Sequence, residues 1–86
     1  MFLLIVYDTD RKNCADLHKY LKTYLHWNQR SVFEGTVTEA QYYKIKDRID
    51  EIRAPNSHVV FYSMENDKLL RREELGSGEG NTSNIL

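Results

Sequence analysis

Met1 to Tyr7 reads M-F-L-L-I-V-Y, an apolar run of strand formers that passes straight into Asp8-Thr9-Asp10 and the basic pair Arg11-Lys12. The run is too short to cross a bilayer and carries no charged leader or cleavage signal, so it is expected to be a buried strand and not a targeting segment. Along such a strand Phe2, Leu4 and Val6 face one way and Leu3, Ile5 and Tyr7 the other. Both faces are therefore apolar. One layer of helices covers only one face of a small sheet, and in a chain of 86 residues the expected second cover is another copy of the same sheet. Asp8, at the end of this strand, would be held by a rigid element yet stay within reach of water, metal or substrate.

Downstream, Cys14, Leu17, Leu21 and Tyr24 recur at three- and four-residue spacing, which predicts an amphipathic helix from Asn13 to about Tyr24. Asn13 or Asp10 could cap its start, and His26-Trp27-Asn28 breaks the pattern as the turn out. Gln29 to Val37 reads as a second extended segment in which Val32 and Phe33 point to opposite faces. Gly35 interrupts it as a bulge, a bend or a tight hairpin, which the residues alone do not separate. Thr38-x-x-Gln41 is a capping box, with Val37 and Tyr42 placed as its hydrophobic staple. Tyr42, Ile45, Ile49 and Ile52 form the buried stripe of the helix that follows, and Pro55 should end it at Ala54. His58 to Met64 is a third strand, apolar on both faces, Glu65 to Lys68 its turn, and Leu69 to Leu75 a fourth strand. Residues 76–81 have the composition of a flexible linker, and the apolar end Ile85-Leu86 suggests that residues 82–86 dock on something.

Length indicates one small domain with a modest core. Twelve Lys and Arg against thirteen Asp and Glu give a net charge of −1, which excludes the overall basic field of a non-specific nucleic-acid binder. Any nucleic-acid contact must come from a local patch. The single cysteine, Cys14, excludes an intramolecular disulfide and a cysteine zinc site, and points to the cytoplasm. It lies on the apolar stripe of the first helix and reads as a core residue.

The candidate chemistry gathers at the end of the first strand. Asp8 is either a reactive carboxylate or one that caps the following helix or sits in solvent, whereas Asp10 is better placed to cap. One carboxylate is too few for a metal site. A symmetric dimer would present two, and magnesium is held by one or two carboxylates with water and substrate phosphates. Arg11, Lys12 and Arg30 suit phosphate, each with a solvated surface charge as its plainer reading. Arg71-Arg72 is countered by Glu73-Glu74 and reads as surface charge. Tyr7 and Phe33 could stack on bases, with core or dimer packing as the simpler alternative. His18, His26 and His58 share no ligand spacing.

Four stretches, V-Y-D-T-D at Val6 to Asp10, N-Q-R-S-V-F-E-G at Asn28 to Gly35, T-E-A at Thr38 to Ala40 and S-N-I-L at Ser83 to Leu86, resemble the small CRISPR-associated spacer-acquisition endonuclease family, the second protein of the conserved adaptation pair. The resemblance covers nearly the whole chain. It implies an α+β ferredoxin-like sandwich over residues 1–75, with two helices on one face of the sheet. It further implies a homodimer with facing sheets and a last strand, residues 82–86, crossing to the partner subunit. By the same resemblance Asp8 and its twin bind Mg²⁺ or Mn²⁺ and catalyse phosphodiester hydrolysis of single-stranded RNA or double-stranded DNA. Tyr7, Arg11 and Arg30 would position the phosphate, and Phe33 the base or the dimer. The family also serves as a non-catalytic bridge between integrase subunits, the alternative role here. A toxin-type ribonuclease on the same fold fits the Ser31 to Gly35 motif and the tail less well. The slight acidity of this chain departs from the family's basic members.

Overall fold

The computed structural model of the chain describes residues 1–65 and 70–76. Its elements run β1 (Phe2–Asp8), α1 (Arg11–Leu21), β2 (His26–Gln29), β3 (Val32–Thr36), α2 (Glu39–Ile52), β4 (His58–Met64) and β5 (Arg71–Leu75). They form one sheet in the order β2-β3-β1-β4-β5, antiparallel at every pairing. The first six elements make the β-α-β-β-α-β of a ferredoxin-like fold, and β5 widens the sheet beside β4. The expected α+β class is thus observed. Expectations for the linker at 76–81 beyond Gly76, for the tail at 82–86 and for most of the turn after Met64 fall outside the described residues.

The first strand takes the middle of the sheet, between β3 and β4, and its two faces separate by parity. Leu3, Ile5 and Tyr7 are buried with Phe33, Val59 and Phe61 beneath Leu17, Leu21, Tyr42, Ile45 and Ile49 of the helices. Phe2, Leu4, Val6 and Asp8 point to the face that no helix among the described residues covers.

The segment from Gln29 to Val37 is not one bent strand. It is a tight hairpin whose tip is Arg30-Ser31, and residues 26–29, expected as a turn, form the outer strand β2. Gly35 is not the turn residue: it pairs with Leu3 inside β3, where an added Cβ would come within 3.0 Å of the Leu25 side chain. Of the bulge, bend and hairpin that the glycine left open, the hairpin exists but is not made by the glycine, although glycine enters turns without steric cost. The chain turns instead at Arg30, whose φ is +43°, and the Trp27 indole N–H donating to the Arg30 carbonyl at 2.8 Å holds it there.

The second helix starts as its capping box predicts: Thr38 Oγ1 accepts from the Gln41 amide at 3.0 Å, and Gln41 Oε1 from the Thr38 amide at 2.9 Å. Its last helical residue is Ile52, two residues before the expected Ala54. The first helix is capped by Asp10, whose carboxylate accepts from the Asn13 amide at 2.7 Å. It ends at Leu21 and not near Tyr24.

Asn13, relieved of capping, does something that spacing did not suggest. Its side chain is buried, donates to the Ile52 carbonyl at 2.9 Å and accepts from the Ala54 amide at 2.9 Å, so it latches the start of α1 to the end of α2. A second tie joins α2 to the sheet edge. The buried Tyr42 hydroxyl donates to the Glu73 carboxylate, and Lys46 Nζ lies 3.2 Å from the same group. Burial and this hydrogen bond push the Tyr42 hydroxyl up, while Tyr42 and then Lys46 hold Glu73 below the ordinary carboxylate value.

Two stability measurements check these ties. Asn13→Leu takes the Asn13 partner from the half-buried Ile52 carbonyl and Ala54 amide, at roughly 1 kcal/mol each, and should lower the urea midpoint. A variant as stable as the parent would remove the latch. Because the folded pKa of Glu73 is depressed, its contribution is full above the unfolded value of 4.5 and is lost as pH falls through the folded one. Glu73→Gln should therefore lose less stability than the parent between pH 7 and acid below that value. Equal losses in both proteins would show that the acid response lies elsewhere.

Candidate functional site

Which side chains can meet a ligand beyond the open face follows from the alternation of β1. Asp8 is exposed, the last residue of the strand, and is paired across β1 and β4 with His58. The helix cap is supplied by Asp10, so the capping alternative for Asp8 falls away. An exposed carboxylate on the last residue of a central strand is pre-positioned without being desolvated.

Beside it on the same face runs a polar row that the sequence did not disclose. His58 Nε2 lies 3.1 Å from Glu74 Oε2, and the Arg72 guanidinium bonds the other oxygen of Glu74 while lying 6.0 Å from the centroid of the Tyr62 ring. The hydrogen bond from Arg72, then that from His58, holds the Glu74 carboxyl below the usual carboxylate range. Spacing alone gives His58 no ligand partner and leaves Arg72 and Glu74 as balanced surface charge. Only the register could reveal them, because it sets His58 opposite Asp8 and Glu74 opposite Val60.

Three basic candidates arrive at the same end of the sheet. Arg11 and Lys12 are the exposed first residues of α1, and Arg30 is exposed at the hairpin tip. That tip is stitched to the central strand by the Tyr7 amide, which donates to the Ser31 carbonyl at 3.1 Å, one residue before Asp8. The structure thus places Asp8, Arg11, Lys12 and Arg30 at one end of the sheet.

Tyr7 and Phe33 do not join them. Their side chains are 4% and 0% exposed, with ring centroids 6.3 Å apart, and the His18 ring edges onto Phe33 from α1. Tyr7 is an odd residue of β1 and Phe33 its neighbour on the helix-covered face, so neither can position a phosphate or stack on a base. The packing alternative is the right one for both. Burial pushes the Tyr7 hydroxyl up to about 12. Cys14 is half-buried against the core, its Sγ 3.7 Å from Ser31 Oγ.

Among the described residues no group of three or more His, Cys, Asp or Glu side chains could hold a metal ion. The oxygen donor of Asp8 is of the kind magnesium takes, but one chain supplies only one such donor. Among the described residues no helix is long and apolar enough to cross a membrane.

Comparison with known proteins agrees with this geometry. The family model described as CRISPR associated protein Cas2 matches residues 1–72. A CRISPR-associated endoribonuclease Cas2 of Methanosarcina acetivorans is 40% identical, over all of both chains. One of the same name from Methanothermobacter thermautotrophicus is 39% identical over 88% of this chain and 85% of its own. Among solved structures, a crystal structure of Cas2 superposes with a TM-score of 0.72 at 33% identity, covering 100% of this chain and 98% of the other. Streptococcus pyogenes Cas2 at pH 6.5 gives 0.70 at 30% identity, over 78% and 89% of the two chains. With the family pattern matched over most of its length and the same fold built around it, this chain belongs to the CRISPR-associated protein Cas2 family.

Proposed function

We propose that the chain is an endoribonuclease of CRISPR adaptation, working as a homodimer in which two Asp8 carboxylates share one divalent ion, magnesium or manganese. The observation that carries this reading is the exposed Asp8 on the uncovered face of the central strand, with Arg11 and Arg30 at the same sheet end. Relatives of the chain bear the name endoribonuclease, which favours RNA over duplex DNA as the first substrate to test.

The dimer follows from the open face. Leu4, Val6, Val32, Val60 and Tyr62 form an apolar field there, with Phe2 43% and Met64 36% exposed at its edge. Each Å² of that field buried against a second copy contributes roughly 25 cal/mol. Facing copies of the same field would also bring the two Asp8 residues to one side of the interface.

Each residue has a task that its position suits. Asp8, on a strand fixed from both sides, holds its carboxylate without reorganisation. Arg11 and Arg30 offer planar forks that each clamp two phosphate oxygens of the scissile linkage. The Arg72, Glu74 and His58 row fixes the imidazole beside Asp8. A divalent ion, when bound, would supply positive charge for the phosphoryl oxygens.

A second reading, a structural bridge joining integrase subunits, draws on the single carboxylate that each chain brings to this end. The two readings part on one variant. Asp8→Ala, at an exposed position, should fold with its stability changed by less than about 0.5 kcal/mol and lose at least roughly a hundredfold in magnesium-dependent RNA cleavage. Cleavage that survives in the purified variant would sink the nuclease reading, and spacer integration that survives alongside lost cleavage would favour the bridge. Leu4→Lys or Val6→Lys should turn the dimer into a monomer in sedimentation velocity, since either puts a charge into the apolar field. A dimer that persists in both would place the interface elsewhere.

A further inference from the structure

We propose that the outer edge formed by α1 and the β2–β3 hairpin is a stacking site for single-stranded nucleic acid, centred on Trp27 and separate from Asp8. The chain as a whole is slightly acidic, yet from Leu17 to Phe33 it contains no Asp or Glu, while it contains Lys19, Lys22 and Arg30. This acid-free stretch folds back on itself. It supplies the second half of α1, the whole of β2 and the hairpin tip, so its cations collect on one edge of the molecule.

Trp27, the only tryptophan, stands in the middle of that edge and is 56% exposed. It is not a loose surface side chain. Its indole N–H is committed to the Arg30 carbonyl at 2.8 Å, and the His18 ring meets it edge-on with centroids 5.1 Å apart. The ring is therefore held in place with much of its surface open, and the entropy of fixing it is already spent. On α1 the helical pitch sets Arg11, His18 and Lys22 in one row along the side turned to the hairpin. Glu34, the nearest carboxylate of the hairpin, is taken up by the Asn28 side-chain amide at 3.2 Å and pairs with His26, on the sheet face opposite to Trp27. A fixed aromatic platform flanked by cations is what an unpaired base and its neighbouring phosphates require. Duplex DNA offers no free base face to such a ring.

The edge also connects with the end of β1. Arg30 follows β2 and precedes Ser31, whose carbonyl is bound by the Tyr7 amide. A strand stacked on Trp27, on the helix-covered side with Phe33, would pass round Arg30 at the hairpin tip to reach Asp8 on the open face. The inference rests on the nucleic-acid reading above only for that continuity and for the choice of RNA as ligand.

The single tryptophan makes the test direct. An oligouridylate of about 12 nucleotides is titrated into the full chain in EDTA, so that nothing is cut, and emission from Trp27 is followed. Saturable quenching is expected. Trp27→Ala should weaken binding, read by anisotropy of the labelled oligonucleotide, by roughly 5- to 150-fold, while Trp27→Phe stays within about 5-fold of the parent. If Trp27→Ala does not fold, the double variant Lys22→Gln, Arg30→Gln decides. It should flatten the slope of log affinity against log salt by roughly 0.7 for each charge removed. RNA binding with unchanged emission, an unweakened Trp27→Ala or an unchanged slope in the double variant would overturn the site, and so would a duplex of the same length quenching equally. Quenching without cleavage under magnesium would instead remove the Asp8 reading and leave the stacking site standing.

Discussion

The constraint on which the rest of this molecule depends is the parity of β1. A strand in the centre of a sheet has two faces and no freedom to exchange them, because slipping by one residue would turn every apolar side chain over. Odd residues of β1 are committed to the helices by Leu3 and Ile5, both fully buried. Everything else about the site follows from that commitment. Asp8, even-numbered, must stand on the uncovered face, and Tyr7, one residue earlier, must be in the core. Two neighbours in the chain that look like partners in one site are separated by the thickness of the sheet.

The other even residues explain why this face is expected to meet a second copy. Leu4 and Val6 have Val32, Val60 and Tyr62 beside them across two pairings, an apolar field bordered by Glu34 opposite Leu4 on one side and by the polar group of Asp8, His58, Glu74 and Arg72 on the other. A field that stops at charged groups confines burial to the middle of the face and leaves the chemistry at its rim. The latch at Asn13 and the tie from Tyr42 to Glu73 serve this arrangement from behind. They fix α1 to α2 and α2 to the edge strand, so the sheet presents its open face as a rigid surface.

The hairpin tip shows how a small fold places a cation without a dedicated element. Arg30 takes a backbone conformation that residues with a Cβ seldom adopt, and the Trp27 indole and the short connection between β2 and β3 hold it there. The strain is local. It sets an exposed guanidinium beside the end of the central strand, and it orients the one tryptophan along the outer edge of the hairpin.

The sequence by itself determined the elements whose signals are local. The capping box at Thr38 and Gln41 needs only residues three apart, the run His58 to Met64 needs only its own composition, and the two-sided apolar character of Met1 to Tyr7 needs only alternation. These suffice for two helices set among strands and for Asp8 as the leading candidate, while the α+β ferredoxin-like class was what the family resemblance implied. Tertiary structure alone decided what depends on pairing. Residues far apart in the chain become neighbours through register, so His58 could be set against Asp8, and Glu74 against His58, only once β4 lay between β1 and β5. The turn at Arg30 was hidden because a hydrogen bond from Trp27 outweighed the usual preference for glycine. Packing for Tyr7 and Phe33 is what their residue types suggest, and the positioning roles implied by the resemblance fail at both because a strand's alternation says which residues share a face, but only the packing of the helices says which face is closed.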